Sequence, residues 1–439
     1  MKPMLSPIKL LLAATIVVTT LSACGGRGIR TDAPLRTAAT SAPDASTRIA
    51  VMLPMSGKYG RVSAAIRNGM ELVNSRRSPS QRPMLEFIDS GNGLSDALLS
   101  TTTGADIMVG PLSRENVDQV MRETTSLPRT VITLNQVSDI SPYGVFQFGL
   151  SPDEDGRQIA NKAFADGYRT ASILYPETTW GSRYLAGFSK HWERLGGVTA
   201  TIAAYPLPGE TVTDSQEKKT NRERLTDAVK SVLENSGDFV YVVGKPAKAR
   251  ELRTFLLYYG NFDLPVYISA RGYDRRLFAH NTADLRNAWM PAMPINIPDE
   301  RPEPASATQG EADTTAQDAE TAATEALAIQ PQSNEPDWAM LTASASQSSG
   351  YQSDIISSAV PGWNDIASMP GFDSNYAAYY AMGIDAMILA LNSWQLSPDR
   401  TIRGSTGLLF SDQDGIIRRH PAWIYYDKDQ IKVQPPTVH

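Results

Sequence analysis

A single cysteine, Cys24, stands among 439 residues, which excludes an internal disulfide framework, a cysteine-rich zinc site and an iron–sulfur cluster within one chain. Histidine is nearly as scarce: His191, His280, His420 and His439 stand alone and read as surface or packing residues rather than a catalytic set. Positive charge is not in excess, the formal net charge being −6, so no nucleic-acid partner held through its phosphates is expected. No His-Glu-x-x-His, Gly-x-Ser-x-Gly, Walker-type or Gly-x-Gly-x-x-Gly run is present, and no metal or cofactor is implied. A penicillin-binding enzyme would need Ser-x-x-Lys with Lys-Thr-Gly. The Ser-x-x-Lys matches are Ser6 to Lys9 and Ser215 to Lys218, and Lys-Thr-Gly does not occur. With 41% hydrophobic and 20% charged residues, the chain is too apolar to be disordered throughout. Its length allows roughly two or three domains of about 150 residues.

The amino terminus accounts for the cysteine. Lys2 and Lys9 form a basic start, Leu10 to Thr20 an apolar stretch, and Leu21-Ser22-Ala23-Cys24 a small-residue close. About a dozen apolar residues are too few to span a bilayer, which needs about 20, so residues 1–23 read as a cleaved export signal. The Leu-Ser-Ala-Cys box resembles a bacterial lipoprotein signal, which implies diacylglycerol on Cys24 and an acylated new amino terminus. More than one acyl chain anchors stably where one is marginal. Gly25 in place of Asp implies, by the same resemblance, the periplasmic face of the outer membrane. Cleavage leaves 39 basic against 47 acidic residues, a charge of −8, so the lipid rather than electrostatics must hold the chain to a membrane.

Residues 24–47 are rich in Gly, Ala, Ser, Thr and Pro and read as a flexible tether. From Arg48 onward, short apolar runs alternate with helical periodicity. Ile49 to Leu53 predicts a buried strand, followed by a helix carrying Val62, Ile66, Met70 and Val73. Strands are expected at Met84 to Asp89, Ile107 to Val109, Thr130 to Leu134 and Val145 to Phe148, with a helix from Ser113. A second set begins after Leu150, with strands at Ala171 to Tyr175, Val198 to Ala204, Phe239 to Val243 and Pro265 to Ser269. Between them, Leu185, Phe188, Trp192 and Leu195 line one helical face. Residues 301–350 hold eight acidic residues against Arg301 and predict a disordered insertion. A helix with the stripe Tyr380, Ile384, Met387, Leu391 and Trp394 follows. Asp412-Gln413-Asp414-Gly415 between apolar runs predicts a hairpin, and Asp412 and Asp414 fit a turn better than a calcium loop. The fold class is α/β: two lobes, each a doubly wound, mainly parallel sheet, with a crevice between them as the default site. The first lobe is expected from 48–150 plus about 270–395, with the insertion at about 295–362. The second is expected from 151–269 plus about 396–439.

Seven motifs, in order, carry a resemblance. Ile49-Ala-Val-Met-Leu-Pro-Met-Ser-Gly57, Val109-Gly-Pro-Leu-Ser-Arg-Glu-Asn-Val117, Phe146-Gln-Phe-Gly-Leu-Ser-Pro-Asp153, Leu264-Pro-Val-Tyr267, Ala288-Trp-Met-Pro291, Tyr380-Ala-Met-Gly-Ile-Asp-Ala386 and Arg418-Arg-His-Pro-Ala-Trp423 resemble the LpoA family. These are outer-membrane lipoproteins that activate penicillin-binding proteins. The resemblance implies the type 1 periplasmic-binding-protein fold and a class A penicillin-binding protein as partner. Long members carry an amino-terminal helical-repeat domain; about 22 tether residues precede the first strand here, so the resemblance is to the binding-protein half. The wider superfamily includes amino-acid receptors of uptake transporters, which supplies the alternative of a small-molecule ligand.

In those receptors the loop matching Gly110 to Ser113 holds the ligand's carboxylate. Ser113 opens a helix, where simple capping is the leading reading and a ligand role the other. Ser56, Tyr59, Asn135, Trp180 and Arg271 also follow strands and are candidates to line the crevice. Trp180 is placed either to stack on a flat ligand or to pack beside Gly181.

Overall fold

The computed structural model describes residues 41–95, 104–122, 127–207, 215–260, 263–275, 283–298, 354–356, 360–427 and 430–437. The expected signal segment, Cys24, most of the tether and the acidic insertion lie outside these residues.

Apolar runs without alternation become strands covered on both faces. In β1 (Arg48–Leu53), Ile49 to Leu53 are at most 1% exposed. β1 pairs in parallel with β2 (Met84–Asp89) and β3 (Ile107–Val109), and β4 (Thr130–Thr133) and β5 (Val145–Gln147) extend the sheet in the order β2-β1-β3-β4-β5. α1 (Gly60–Ser75) packs Ile66 and Met70 on one face, and α2 (Arg114–Arg122) packs Val120 on the other.

The chain crosses to the second lobe at α3 (Pro152–Ala165). Ser151 caps this helix by accepting from Glu154 N, Pro152 opens it, and three acidic residues sit in its first turn. Then follow β6 (Thr170–Pro176), α4 (Thr179–Arg194), β7 (Val198–Tyr205), α5 (Ser215–Glu234), β8 (Phe239–Val242), α6 (Pro246–Tyr259), β9 (Val266–Ile268) and β10 (Ala288–Ala292). The order β7-β6-β8-β9-β10 repeats that of the first sheet, again all parallel, without any repeat in the sequence.

The chain then returns to the first lobe. β11 (Asp354–Ile356), β12 (Arg400–Arg403), β13 (Leu408–Ser411) and β14 (Ile417–His420) form a small sheet, with α7 (Trp363–Ala367) and α8 (Ala377–Leu391) between β11 and β12. The hairpin forms as expected. β13 and β14 are antiparallel, Gly415 takes φ +76°, and Asp412 Oδ1 accepts from Asp414 N and Ile416 N. After Pro421 the chain crosses a third time, and β15 (Ala422–Asp427) and β16 (Gln430–Gln434) complete the second sheet beside β10.

Two lobe assignments need correction. β10 was expected with the first lobe, from about 270, yet it is hydrogen-bonded between β9 and β15 in the second sheet. Pro291, which has no amide to donate, masks the run as a central strand. Residues 396–420 were expected in the second lobe, yet Leu396, Ile402, Leu409 and Ile417 pack into the core of the first. The lobes divide after β10 and at Pro421.

α8 is buried on nearly every side rather than along one stripe, and Trp394 lies beyond its end. It crosses α1 at two glycines. A Cβ on Gly383 would lie 2.0 Å from Ile66 O, and one on Gly69 2.2 Å from Tyr380 O. Among the described residues, no helix is long and apolar enough to cross a membrane.

Candidate functional site

The first sheet reverses its order between β1 and β3, and the loops leaving their carboxyl ends diverge into a cleft. The cleft has a volume of about 780 Å³ and is lined by Tyr59, Ser90, Ser113, Asn116, Asn135 and Tyr379, among others. All its lining residues come from the first lobe and from α8. Gly110 makes this loop possible: its φ is +105°, and a Cβ there would meet Met52 O at 2.1 Å.

Ser113 does cap α2, its hydroxyl accepting from Asn116 N at 3.3 Å. Asn135 is braced, donating from Nδ2 to Leu112 O at 3.1 Å and accepting from Gln136 N at 3.0 Å. Asp89 Oδ1 accepts from Met55 N and Gly91 N, both at 2.8 Å, and so ties the β1 and β2 loops together. Ser56 lies beside Gly91, and Lys58 stands 4.9 Å over the Tyr59 ring. Asn116 Nδ2 reaches Ser90 O at 3.5 Å, while the buried Ser90 hydroxyl has no partner among the described residues. The structure therefore gathers Tyr59, Ser113 and Asn135 around one cleft, with Ser56 next to it.

Trp180 and Arg271 form a separate pair in the second lobe. The Arg271 guanidinium lies 4.7 Å over the Trp180 ring, which also meets Tyr184 edge-on at 5.9 Å. The guanidinium thus covers one face of the indole. Gly181 is tight, since a Cβ would meet Pro176 O at 2.3 Å.

Between the lobes runs a buried polar junction that the sequence reading did not assemble. Glu154, on α3, accepts from Arg157 Nε at 2.8 Å and from Arg418 Nη1, on β14, at 3.0 Å. Arg418 Nε also donates to Asp412 at 2.9 Å. Gln158 Nε2 donates to Arg419 O at 3.2 Å, and Asp155 accepts from Ala270 N at 3.1 Å. Lys190 reaches across to Asp139 at 2.8 Å, an exposed pair worth little. Part of the signal was present in one of the seven motifs, in Arg418-Arg419, and Glu154 follows directly on the motif that ends at Asp153, but each half reads as surface charge alone.

The junction sets unusual proton affinities. Burial would raise the Glu154 carboxyl, but Arg157, with Arg418 and Arg419, outweighs it and holds the group at about 2. Burial pushes Asp155 up to about 7, against the Ala270 amide and Arg419 and with help from Glu154. Burial also raises Asp385, on α8, to about 6, despite hydrogen bonds from Thr406 and Ser405. Burial, with Arg157 next, lowers His191 to about 4; its Nε2 meets Asn161 Oδ1 at 2.6 Å.

Asp155 and Asp385 bind protons more tightly folded than unfolded, so the folded chain holds more protons between about pH 4 and 7. These two groups therefore lower stability by about 2 to 4 kcal/mol as pH rises from 5 to 8, and His191, whose lowered folded value adds stability as pH rises through about 4 to 6.5, offsets part of it, leaving a net fall. Asp155→Asn should flatten that slope and raise the melting temperature at pH 8; an unchanged slope in urea melts at pH 5, 6, 7 and 8 would contradict it. Among the described residues no cluster of His, Cys, Asp and Glu is arranged to hold a metal ion.

Comparison with known proteins adds a lineage. The family described as "LppC putative lipoprotein" matches residues 33–291. The penicillin-binding protein activator LpoA of Haemophilus influenzae is 24% identical over 396 residues, covering 88% of this chain and 55% of its own length. The chain thus spans about half the length of that curated relative. The solved C-domain of Haemophilus influenzae LpoA, described as a regulator of PBP1A, matches with a TM-score of 0.60 at 20% identity, over 89% of this chain and 100% of that one. A branched-chain amino acid ABC transporter protein from Rhodospirillum rubrum matches with a TM-score of 0.55 at 14% identity, over 88% and 99%. Both likenesses are of fold, and they agree with two doubly wound lobes of the periplasmic-binding-protein kind.

Proposed function

The chain belongs to the LppC family, and from that premise we propose that it is a lipid-anchored, non-enzymatic activator of a peptidoglycan synthase. The partner would be a class A penicillin-binding protein, bound through the surface of the two lobes. Acylated Cys24 would hold the chain at the periplasmic face of the outer membrane, and residues 25–47 would give it reach toward an inner-membrane enzyme. One observation carries the reading: the likeness to a named activator runs through both lobes rather than through one loop or one motif. Binding without catalysis also suits a chain in which no nucleophile, base and oxyanion set could be assembled from the sequence.

The test is co-purification of the tagged chain with a detergent-solubilised class A penicillin-binding protein, followed by the transpeptidase rate with and without it. Association in the micromolar range or tighter and a raised rate are expected. No association and no rate change would sink the proposal.

A second reading, a receptor for an amino acid or related solute, is favoured by the first-lobe cleft, which the first turn of α2 helps to line. Amino acid at 100 times its dissociation constant would add about 2.7 kcal/mol to stability, a shift of several degrees. Ser113→Ala should then abolish the shift. A chain whose melting temperature ignores every amino acid tested would leave this reading without support.

A further inference from the structure

At the outer end of the second lobe lies a cavity of about 390 Å³, lined by Leu233, Ser236, Tyr259, Asp263 and Leu264 among others. Its place follows from the strand directions. Ala270, after β9, meets Asp155 at the lobe junction, so the carboxyl ends of the parallel strands face the junction. Ser236 and Pro265, in the cavity wall, precede β8 and β9 and stand at the opposite, amino ends. The cavity is therefore remote from the junction and shares no lining residue with the first-lobe cleft. Its size falls within the range of small-ligand sites, about 300 to 1,000 Å³. Gly260, also in the wall, is required there: a Cβ would meet Leu233 Cδ2 at 2.6 Å and Leu256 O at 2.7 Å, so glycine lets the end of α6 close against α5.

Beside this cavity stands Tyr258, 80% exposed. A lone exposed aromatic is ordinary. This one is braced, its ring at right angles to that of Tyr259 with centroids 4.8 Å apart, and Tyr259 in turn meets Phe255 edge-on at 6.1 Å. Lys230 Nζ lies 5.2 Å from the centre of the Tyr259 ring. The site thus offers a flat aromatic platform, an apolar wall in Leu233 and Leu264, and polar groups of three kinds. The ammonium of Lys230 only donates, the carboxylate of Asp263 only accepts, and the Ser236 hydroxyl does both. Charges of both signs at one small cavity suit neither a simple anion nor a simple cation. They suit a neutral amide, whose carbonyl accepts from the ammonium or the hydroxyl and whose N–H donates to the carboxylate, while an acetyl methyl lies on the leucines. The negative face of an aromatic ring attracts the polarised C–H groups of a sugar ring. A pyranose that carries an acetamido group combines these features in one molecule.

We propose that this cavity and Tyr258 bind an N-acetylated pyranose of a neutral glycan, the sugar ring on Tyr258 and the acetamido group in the cavity between Leu233, Ser236 and Asp263. The site does not rest on the chain binding a synthase. It would hold the second lobe to a glycan by the end turned away from the first lobe, leaving the cleft and the junction uncovered.

The test is titration calorimetry of the full chain with two trisaccharides of the same linkage: triacetylchitotriose, and cellotriose, in which hydroxyls replace the acetamido groups. Triacetylchitotriose should bind with a dissociation constant in the millimolar range or tighter, and cellotriose at least about tenfold more weakly. Tyr258→Ala should weaken binding about tenfold, and Tyr258→Phe, which keeps the platform, should not. Tyr258 is largely in solvent, so neither substitution disturbs the core. Ser113→Ala should leave binding unchanged. Four results would overturn the proposal: no binding of triacetylchitotriose to the well-folded chain; binding as tight in Tyr258→Ala as in the unchanged chain; cellotriose bound as tightly as its acetylated counterpart; or binding lost on Ser113→Ala, which would move the site to the first lobe.

Discussion

A Gly383→Val chain is expected to lose the first lobe. The α1–α8 crossing brings backbone against backbone, and a Cβ at position 383 would sit 2.0 Å from Ile66 O and 2.9 Å from Ile66 Cα. Neither is the flexible end of a side chain. Relief requires α8 to move away from α1, and α8 carries Ile384, Met387, Ile388 and Leu391 into the same core. Overpacking a tight core costs typically about 1 to 3 kcal/mol, and a contact this short against main chain lies at or beyond the top of that range. Gly383→Ala should already cost about 3 kcal/mol. Gly93→Ala, at a positive φ with nothing within 4 Å, should cost only about 1 kcal/mol and serves as control. Equal denaturant midpoints for Gly383→Ala and the unchanged chain would show that the helices do not meet this closely.

The second large effect is expected at Glu154. Its side chain is 4% exposed, and those of Arg157 and Arg418 are 18% and 20% exposed. Removing the carboxylate leaves two largely buried guanidiniums facing each other, a change that costs about 3 to 5 kcal/mol. Linkage gives a figure of the same size. Glu154 is held at about 2 against an ordinary 4.5, which at about 1.4 kcal/mol per pKa unit is about 3 kcal/mol. Because the folded value is depressed, this stability is fully present above about pH 4.5 and is lost as pH falls through 2. Glu154→Ala should therefore be about 3 kcal/mol less stable at pH 7 and nearly as stable as the unchanged chain at pH 2. A loss that is the same at both pH values would mean that packing, not charge, is what Glu154 supplies.

The two effects differ in how far the sequence announced them. The strands were legible because a parallel strand covered on both faces must be apolar throughout, as in Ile49 to Leu53. The Phe188 and Trp192 stripe was legible for the matching reason in helices. The Asp-Gly turn was legible because few residues accept a positive φ. β10 was not, since Pro291 disguises it, and the repeated strand order was not, since parallel sheets ask only for apolar runs and place little demand on which residues make them. The junction escaped because Glu154 and Arg418 are 264 positions apart. Opposite charges that meet only after folding carry no local period. The glycines of the α1–α8 crossing lie between these cases. Gly383 sits inside a motif that the sequence singled out, but why a glycine is needed there emerges only when α1 is laid against it.

Of the candidate site residues, those gathered best were the ones fixed by topology. Tyr59, Ser113 and Asn135 follow adjacent strands whose carboxyl ends must lie side by side, so their meeting follows from the strand order alone. Trp180 and Arg271 were named for the same reason, yet no pattern along the chain could tell that the guanidinium would lie over the indole.

The third crossover has a consequence for the order in which the chain can finish folding. β10 has β9 on one side and β15 on the other, but about 130 residues separate β10 from β15 along the chain. A chain growing from its amino terminus therefore completes five parallel strands of the second sheet and then carries an open, apolar strand edge while the whole of α7, α8 and β11–β14 is made. That edge, centred on Met290, is open to mispairing during biogenesis, and a holding chaperone that captures the nascent chain should be found on it until Ala422–Asp427 arrives.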